Sequence, residues 1–223
     1  MSLKKASIII ILILLIDQIS KIYIKTHFAL NEDITVFSWF KIAFVENDGM
    51  AWGTKLSDFF TFISDKSAKL ILTLFRIVAV TGIGFWLVDV TKKKKSKTLI
   101  FAISIIFAGA LGNILDSVFY GVLFSDSHMQ VATFLPKEGG YTGVFYGNVV
   151  DMLHFPIWSG QLPNWLPLVG GKAFSFFDPV FNVADVAIST GIGILIVFNK
   201  KAFKEESISK TEPRDQELHN SLV

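Results

Sequence analysis

The chain has 223 residues, of which 52% are hydrophobic, and its mean hydropathy is +0.53. A soluble domain of this length rarely carries so much apolar mass, so the composition predicts an integral membrane protein. The net charge of +2 gives no reason to expect a nucleic-acid partner, and the absence of cysteine excludes disulfides, thiolate metal ligands and a cysteine nucleophile.

Four long apolar runs predict four membrane-spanning helices. The runs cover residues 6–24, 70–90, 98–115 and 183–198. Each is close to the ~20 residues that cross a ~30 Å hydrocarbon core. The first run follows two lysines, as in a signal peptide, but no small-residue cleavage site comes after it. We therefore expect it to remain as a membrane helix.

The lysines predict the orientation of these helices. One cluster precedes the first run, a second (residues 92–97) joins runs two and three, and a third (residues 199–204) follows run four. With four spans, all three clusters lie on the same side, which the positive-inside rule assigns to the cytoplasm. Both termini are then cytoplasmic, and the connections 25–69 and 116–182 lie outside.

The outer connections carry their own structural signals. Residues 34–47 are rich in β-branched and aromatic residues and predict a strand or hairpin, whereas residues 48–53 predict a turn. The segment VVDML (149–153) predicts a short, half-buried strand. The polar tail 205–223 is expected to be disordered, which leaves residues 1–204 as the folded domain.

Polar residues inside the first two runs are candidates for function, because charge is costly in hydrocarbon. Asp17 and Lys21 are four residues apart and share one helix face. They predict either an internal ion pair or part of a site. Arg76 is expected near the outer end of the second run, where its long stem lets the guanidinium reach the interface.

Small residues in the third run predict close packing against another helix. Small residues recur at every fourth position at Ser104, Ala108 and Gly112, and Asp116 continues the same row. Gly109 and Asn113 form an adjacent row. Packing alone does not require Asn113 and Asp116, which end the rows at the outer surface.

Two acids suggest a hydrolytic site. Asn182 and Asp185 begin the fourth run as an N-cap and a first-turn acid, which alone would explain Asp185. Asp151, however, lies in an apolar strand and needs a partner. Two neighbouring carboxylates share a proton and can activate water for peptide hydrolysis. The spacing does not show that these two meet, and other outer acids are available.

Other hydrolase motifs are missing from the sequence. There is no His-Glu-x-x-His for zinc, no Gly-x-Ser-x-Gly elbow and no Gly-x-Gly-Asp, so no metal or cofactor is predicted. Intramembrane acids also suit an ion-coupled carrier, and the small-residue rows suit a non-catalytic assembly protein. Against a carrier, the chain shows no internal repeat, and its polar residues lie toward one membrane face.

Five motifs in chain order are similar to those of one known family. They are DQISK (17–21), NDGMAWG (47–53), GNILD (112–116), VVDML (149–153) and FNVAD (181–185). On a four-helix chain of this orientation, they make residues 1–204 resemble bacterial lipoprotein signal peptidase (signal peptidase II), a membrane aspartyl protease. In the second motif Trp52 stands where the family usually has Phe.

The resemblance implies a site and a fold. Asp151 and Asp185 would be the catalytic dyad. Residues that support the site or hold substrate would be Asp17, Lys21, Asn47, Gly49, Asn113, Asp116, Phe181 and Asn182. The implied fold is a mainly α membrane protein, in which four transmembrane helices carry a small periplasmic-side β-sheet cradle and a short interfacial helix.

The resemblance also implies a substrate and a location. The substrate would be a prolipoprotein, cleaved before a lipobox cysteine that carries diacylglycerol, and the cyclic peptide globomycin would inhibit the reaction. The protein would lie in the bacterial inner membrane with its site at the outer face. We expect a monomer with no cofactor.

Two departures from the family pattern stand out. Arg usually follows the Asp of Gly-Asn-x-x-Asp, but here Ser117 stands there. The guanidinium contact to substrate or inhibitor is then either absent or supplied elsewhere, with Arg76 and Lys21 as the candidates. Residues 122–147 form a longer insertion than the compact family pattern has. It suits either a lid or a partner-binding segment.

Overall fold

The computed structural model describes residues 1–48, 63–167, 169–176 and 179–204. Three long helices dominate it: α1 (Leu3–His27), α2 (Asp65–Lys92) and α3 (Lys97–Leu115). A serine side chain caps each at its N-terminus, accepting a backbone N–H from the first turn. All three are long and apolar enough to cross a membrane, α3 together with the helical turns that continue it to Leu123.

The fourth predicted span forms a shorter helix, α4 (Val183–Val197). Its 15 residues extend about 22 Å at ~1.5 Å per residue, less than the ~30 Å hydrocarbon core. A separate helical turn, Asn199–Ala202, follows it. Three of the four predicted spans therefore have helices of spanning length, and a count of four spans stays a prediction.

The outer surface of the helices is apolar, as expected for contact with lipid. Large hydrophobic side chains are more than three-fifths exposed on α1, α2 and α4, for example Ile19, Val78, Phe85 and Ile196. A water-soluble bundle would bury such side chains. The distribution agrees with the membrane protein predicted from composition.

Helix α3 lies at the centre of the bundle and contacts α1, α2 and α4. Ser104, Ala108, Gly109 and Gly112 of its predicted small-residue rows are buried, and the two glycines lie against Ala184 of α4. At Gly109 a β-carbon would lie 2.2 Å from the carbonyl oxygen of Ala184, so only glycine allows this approach. The predicted packing seam is confirmed, and it brings the start of α4 against the end of α3.

A four-stranded antiparallel sheet covers one end of the bundle, which we call the sheet end. The strands of the chain are β1 (Asp33–Phe37), β2 (Phe40–Asn47), β3 (Val149–His154), β4 (Trp158–Gln161), β5 (Ala173–Phe176) and β6 (Val180–Phe181). The sheet has the order β1-β2-β3-β6, and β4 and β5 form a separate hairpin. The predicted strand signals at 34–47 and 149–153 are confirmed, whereas the β4–β5 hairpin was not predicted.

The insertion at residues 122–147 packs into the structure at the sheet end. Phe124 and Ala132 are buried in one apolar cluster with Phe44 from β2 and Val150 from β3. The backbone of Tyr141 donates to the carbonyl of Phe124, which closes the segment on itself. The insertion is thus part of a core.

Several predictions are not tested by the described residues. The interfacial helix has no counterpart in the described parts of the two outer connections. Most of the predicted turn at 48–53, and the tail 205–223, lie outside the described residues.

Candidate active site

A buried lysine organises the polar side chains at the sheet end. Lys21 Nζ lies 3.0 Å from Asp17 Oδ2 and 2.7 Å from Asp116 Oδ2. It also donates to Asn113 Oδ1 at 2.8 Å. Lys21 and both acids are at most 1% exposed. The predicted Asp17–Lys21 pair is confirmed, and Asp116 extends it into a triad.

The two acids of this triad hold backbone from other elements. Asp17 Oδ1 accepts the N–H of Ala184 at 2.9 Å, in the first turn of α4. Asp116 Oδ2 accepts the N–H of Val150 at 3.4 Å, in β3. Asp17 therefore ties α1 to α4, and Asp116 ties the end of α3 to β3. Each contact is made through the residue next to a candidate catalytic acid.

A π-helical turn, Asp116–Tyr120, continues α3 at this point. Such turns are rare and occur often at functional sites. Gly147 lies against it, and a β-carbon there would be 2.2 Å from the Asp116 carbonyl oxygen. The N–H of Gly147 donates to the Ser117 carbonyl at 2.9 Å. This contact directs the end of the insertion into β3.

Asn182 contacts both candidate catalytic acids. Its side chain caps α4 by accepting the N–H of Asp185, while its own N–H donates to Asp185 Oδ2 at 3.3 Å. Its Nδ2 donates to Asp151 Oδ1 at 2.6 Å. The predicted N-cap is confirmed, and the same residue joins β3 to α4.

Asn113 links this pair of acids to the lysine triad. Its Nδ2 donates to Asp185 Oδ1 at 2.9 Å. Its Oδ1 accepts from Lys21 and, at 3.2 Å, from Asn182 Nδ2. Because each amide has both a donor and an acceptor, the two asparagines fix the orientation of the acids without adding charge.

The environment of Asp151 favours its protonated form. The side chain is 4% exposed, and burial, followed by the charge of Asp185, raises its pKa to about 7. Hydrogen bonds from Asn182 and from Asn47 Nδ2, at 3.5 Å, oppose the shift in pKa. Near neutral pH the pair can hold a single proton, with one acid able to accept a proton and the other able to donate.

The other predicted residues have different positions. Phe181 pairs with Leu153 in the sheet and stacks on Phe155, with ring centroids 5.6 Å apart. Gly49 lies outside the described residues. Arg76 is half-buried, and its Nη1 lies 3.5 Å from Ser117 Oγ.

Sequence reasoning missed two residues that help to build the site. Gln18 Nε2 donates to Asp17 at 3.1 Å and to Asp116 at 2.9 Å. Lys25 is buried, forms an ion pair with Glu46 and donates to Ser127 Oγ at 2.9 Å, which anchors the insertion. Lys25 follows Lys21 by four positions, so the helical spacing that identified Asp17 and Lys21 could also have identified it.

A pair of acids joined through Asn182 thus lies at one end of an apolar helix bundle. A family model described as signal peptidase (SPase) II matches residues 9–200. A lipoprotein signal peptidase of Porphyromonas gingivalis is 43% identical over 96% of this chain and 95% of its own length. One from Amoebophilus asiaticus is 36% identical over 94% of this chain and 84% of its own length.

Two solved structures, both described as bacterial membrane enzymes studied by the in meso method, share the fold. One has a TM-score of 0.55 at 24% identity and covers 92% of this chain and 93% of its own. The other has a TM-score of 0.57 at 23% identity and covers 89% and 94%.

The chain belongs to the signal peptidase II family, and it is a transmembrane protease of lipoprotein processing. Family membership decides against the carrier and the assembly protein as alternatives.

Proposed function

We propose that this protein is an aspartyl endopeptidase that cleaves prolipoproteins directly before the lipobox cysteine carrying diacylglycerol. Asp151 and Asp185 would form its catalytic dyad. The relatives described as lipoprotein signal peptidases support the substrate class. The acids support the reaction type, since such a pair hydrolyses peptides without a metal or a covalent nucleophile.

One observation carries the proposal: Asn182 is hydrogen-bonded to both acids. Its side chain donates to Asp151 at 2.6 Å and its backbone to Asp185 at 3.3 Å. The charge of Asp185 also acts on Asp151 and helps to raise the pKa of that carboxyl. Two acids that are this closely coupled, one of them buried, suit a proton shared between a general base and a general acid.

The mechanism follows from that shared proton. The ionised acid of the pair takes a proton from water, and the water oxygen attacks the carbonyl carbon before the cysteine. The protonated acid gives its proton to the carbonyl oxygen, which forms a tetrahedral diol. Collapse of the diol breaks the C–N bond. The leaving nitrogen takes the proton that the base received, and one hydroxyl of the diol returns its proton to the other acid, which restores the singly protonated pair.

The remaining site residues would have supporting roles. Asn182 and Asn113 orient the carboxylates, and Asn47 contacts Asp151 from β2. Asp17, Lys21 and Asp116 hold α1, β3 and α4 together, because their charges compensate one another inside the bundle.

The location of the site fits the proposed substrate. In the predicted orientation the sheet end faces outward, both termini are cytoplasmic, and the membrane is the bacterial inner membrane. The signal helix of the substrate would lie beside the bundle with its acyl chains in lipid, and water would reach the scissile bond from outside. The protein would act as a monomer.

A synthetic lipopeptide tests the proposal. Purified protein in detergent is incubated with a lipobox peptide whose cysteine carries diacylglycerol, and products are identified by mass spectrometry. We expect a single cut before the cysteine, loss of this cut with globomycin, and no cut in the same peptide without diacylglycerol. An intact lipopeptide under conditions where the protein remains folded would contradict the proposal.

A further inference from the structure

Arg76 brings a positive charge into the apolar surface of α2. It lies on a helix that is long and apolar enough to span the membrane, where charge is costly and is usually retained for function. Its side chain is half-buried, and its Nη1 lies 3.5 Å from Ser117 Oγ on the π-helical turn. The guanidinium thus points toward the polar cluster.

A short series of contacts connects Arg76 to the acid pair. Ser117 Oγ donates to the carbonyl of Asn113 at 3.0 Å. Asn113 Nδ2 in turn donates to Asp185 Oδ1 at 2.9 Å. The negative charges of Asp185 and Asp151 both act on the guanidinium. Arg76 therefore lies within electrostatic reach of the pair.

The charged groups around the pair come from several elements of the described structure. Lys21 is shared between Asp17 and Asp116, and it contacts both directly. With one shared proton, the pair of Asp151 and Asp185 carries one negative charge. The groups that face it are Asp17 and Lys21 from α1, Asp116 from the π-helical turn and Arg76 from α2. Glu46 on β2, near Asn47, is neutralised by Lys25.

We propose that Arg76 is a positioning residue that holds the acid pair in its singly protonated, negatively charged form, with Ser117 directing the guanidinium toward it. The inference rests on the proposed function of the pair. It assigns to α2 the cation that the resembled family usually has directly after Asp116, where this chain has Ser117. Lys21 also acts on Asp151, but Asp17 and Asp116 share its charge through direct ion pairs.

The pH dependence of kcat/KM for the lipopeptide tests the proposal. In Arg76→Gln a positive charge is lost, so each deprotonation of the pair becomes harder. Both limbs of the pH profile should then move to higher pH, by about one unit, since an opposite charge lowers the pKa of a neighbouring acid by about that much or more. Arg76→Lys keeps the charge and should leave both limbs in place.

A matched control removes a positive charge at the opposite end of α2, far from the site. Lys93→Gln changes an exposed residue, paired with Asp89, just after the other end of α2. This variant should show the unaltered profile. A purely structural role of Arg76 would lower the rate without moving the limbs of the pH profile. The proposal would therefore be overturned if Arg76→Gln and the unaltered protein had the same limbs, even with a reduced rate in the variant.

An exchange variant makes the test independent of how well Arg76→Gln folds. Arg76→Ser combined with Ser117→Arg exchanges the two residues of this contact, so that the positive charge comes from the π-helical turn instead of α2. We expect its limbs at the positions of the unaltered protein, and limbs displaced to higher pH would overturn the proposal. Absence of cleavage by the unaltered protein would instead contradict the proposed function.

Discussion

Asn182 shows how much one residue contributes at this site. It caps α4, donates its side-chain amide to Asp151 and donates its backbone N–H to Asp185. A cap needs only the first of these contacts. Because the same side chain caps α4 and binds Asp151, the position of Asp151 in β3 depends on the start of the helix that carries Asp185.

Asp151 makes the stability of the protein depend on pH. Its pKa is about 7 in the folded protein, against ~3.9 for an unperturbed Asp. Between these values the folded state binds more protons than the unfolded state, so the stabilising contribution of Asp151 is fully present below about pH 4 and is lost as the pH rises to about 7. Asp151→Asn removes this loss.

We expect the Tm of the unaltered protein to fall more between pH 5 and pH 8 than the Tm of Asp151→Asn, measured by thermal unfolding in detergent. Asp89→Asn, at an exposed acid of α2, provides the control and should follow the unaltered protein. Equal pH dependence in all three proteins would contradict the assignment of the raised pKa to Asp151.

Residue spacing predicted only the local part of the site. Asp17 and Lys21 share a face of α1, and Asn182 has the sequence features of an N-cap, so helix geometry identified these residues. Asp151 and Asp185 lie on different elements, and no periodicity reports the distance between them. Their pairing was therefore inferred from the family resemblance.

At the scale of elements, the seam between α3 and α4 positions the site. The four-residue spacing of small residues predicted this seam, because packing between helices repeats with the helical period. The π-helical turn was not predicted. It lies where Gly147 of a distant segment packs against the Asp116 carbonyl, and a contact of this kind leaves no periodic signal.

The two glycines at Gly109 and Gly193 give a matched test of the seam. In Gly109→Ala the new β-carbon would lie 2.2 Å from the carbonyl oxygen of Ala184, so α4 must move. At Gly193, on α4, nothing lies within 4 Å of the added β-carbon, and Ala favours a helix by ~0.5–1 kcal/mol over Gly.

We expect Gly109→Ala to lower both the Tm and the cleavage rate, whereas Gly193→Ala should keep the rate and slightly raise the Tm. Lipopeptide cleavage and thermal unfolding measure the two effects. A Gly109→Ala variant with the rate and Tm of the unaltered protein would show that the seam does not position the site.

At the scale of the whole molecule, the described polar clusters of the candidate site lie together at one end of the bundle. The lysine triad and the acid pair lie at the sheet end, whereas the other end is closed by an apolar cluster that includes Leu99 and Ala202. The insertion contributes to the core at the sheet end and is anchored there by Lys25 and Ser127. Hydropathy predicted the helices, but it did not predict this packed segment.

The lysine distribution predicts that the sheet end faces outward, and the absence of cysteine makes this easy to test. Glu138→Cys, in the insertion, and Lys95→Cys, between α2 and α3, each introduce one exposed thiol. A membrane-impermeant thiol reagent should label Glu138→Cys in spheroplasts, and Lys95→Cys only after the membrane is opened. The reverse pattern would contradict the predicted orientation.

The most direct test of the account is lipopeptide cleavage by Asp151→Asn and by Asp185→Asn. Asp33→Asn, at an exposed acid of β1, serves as the control. General acid–base catalysis contributes at least about 100-fold to a rate, so each dyad variant should lose at least that much activity while remaining folded in the membrane fraction. Cleavage by either variant at a rate near that of the control would contradict the assignment of Asp151 and Asp185 as the catalytic pair.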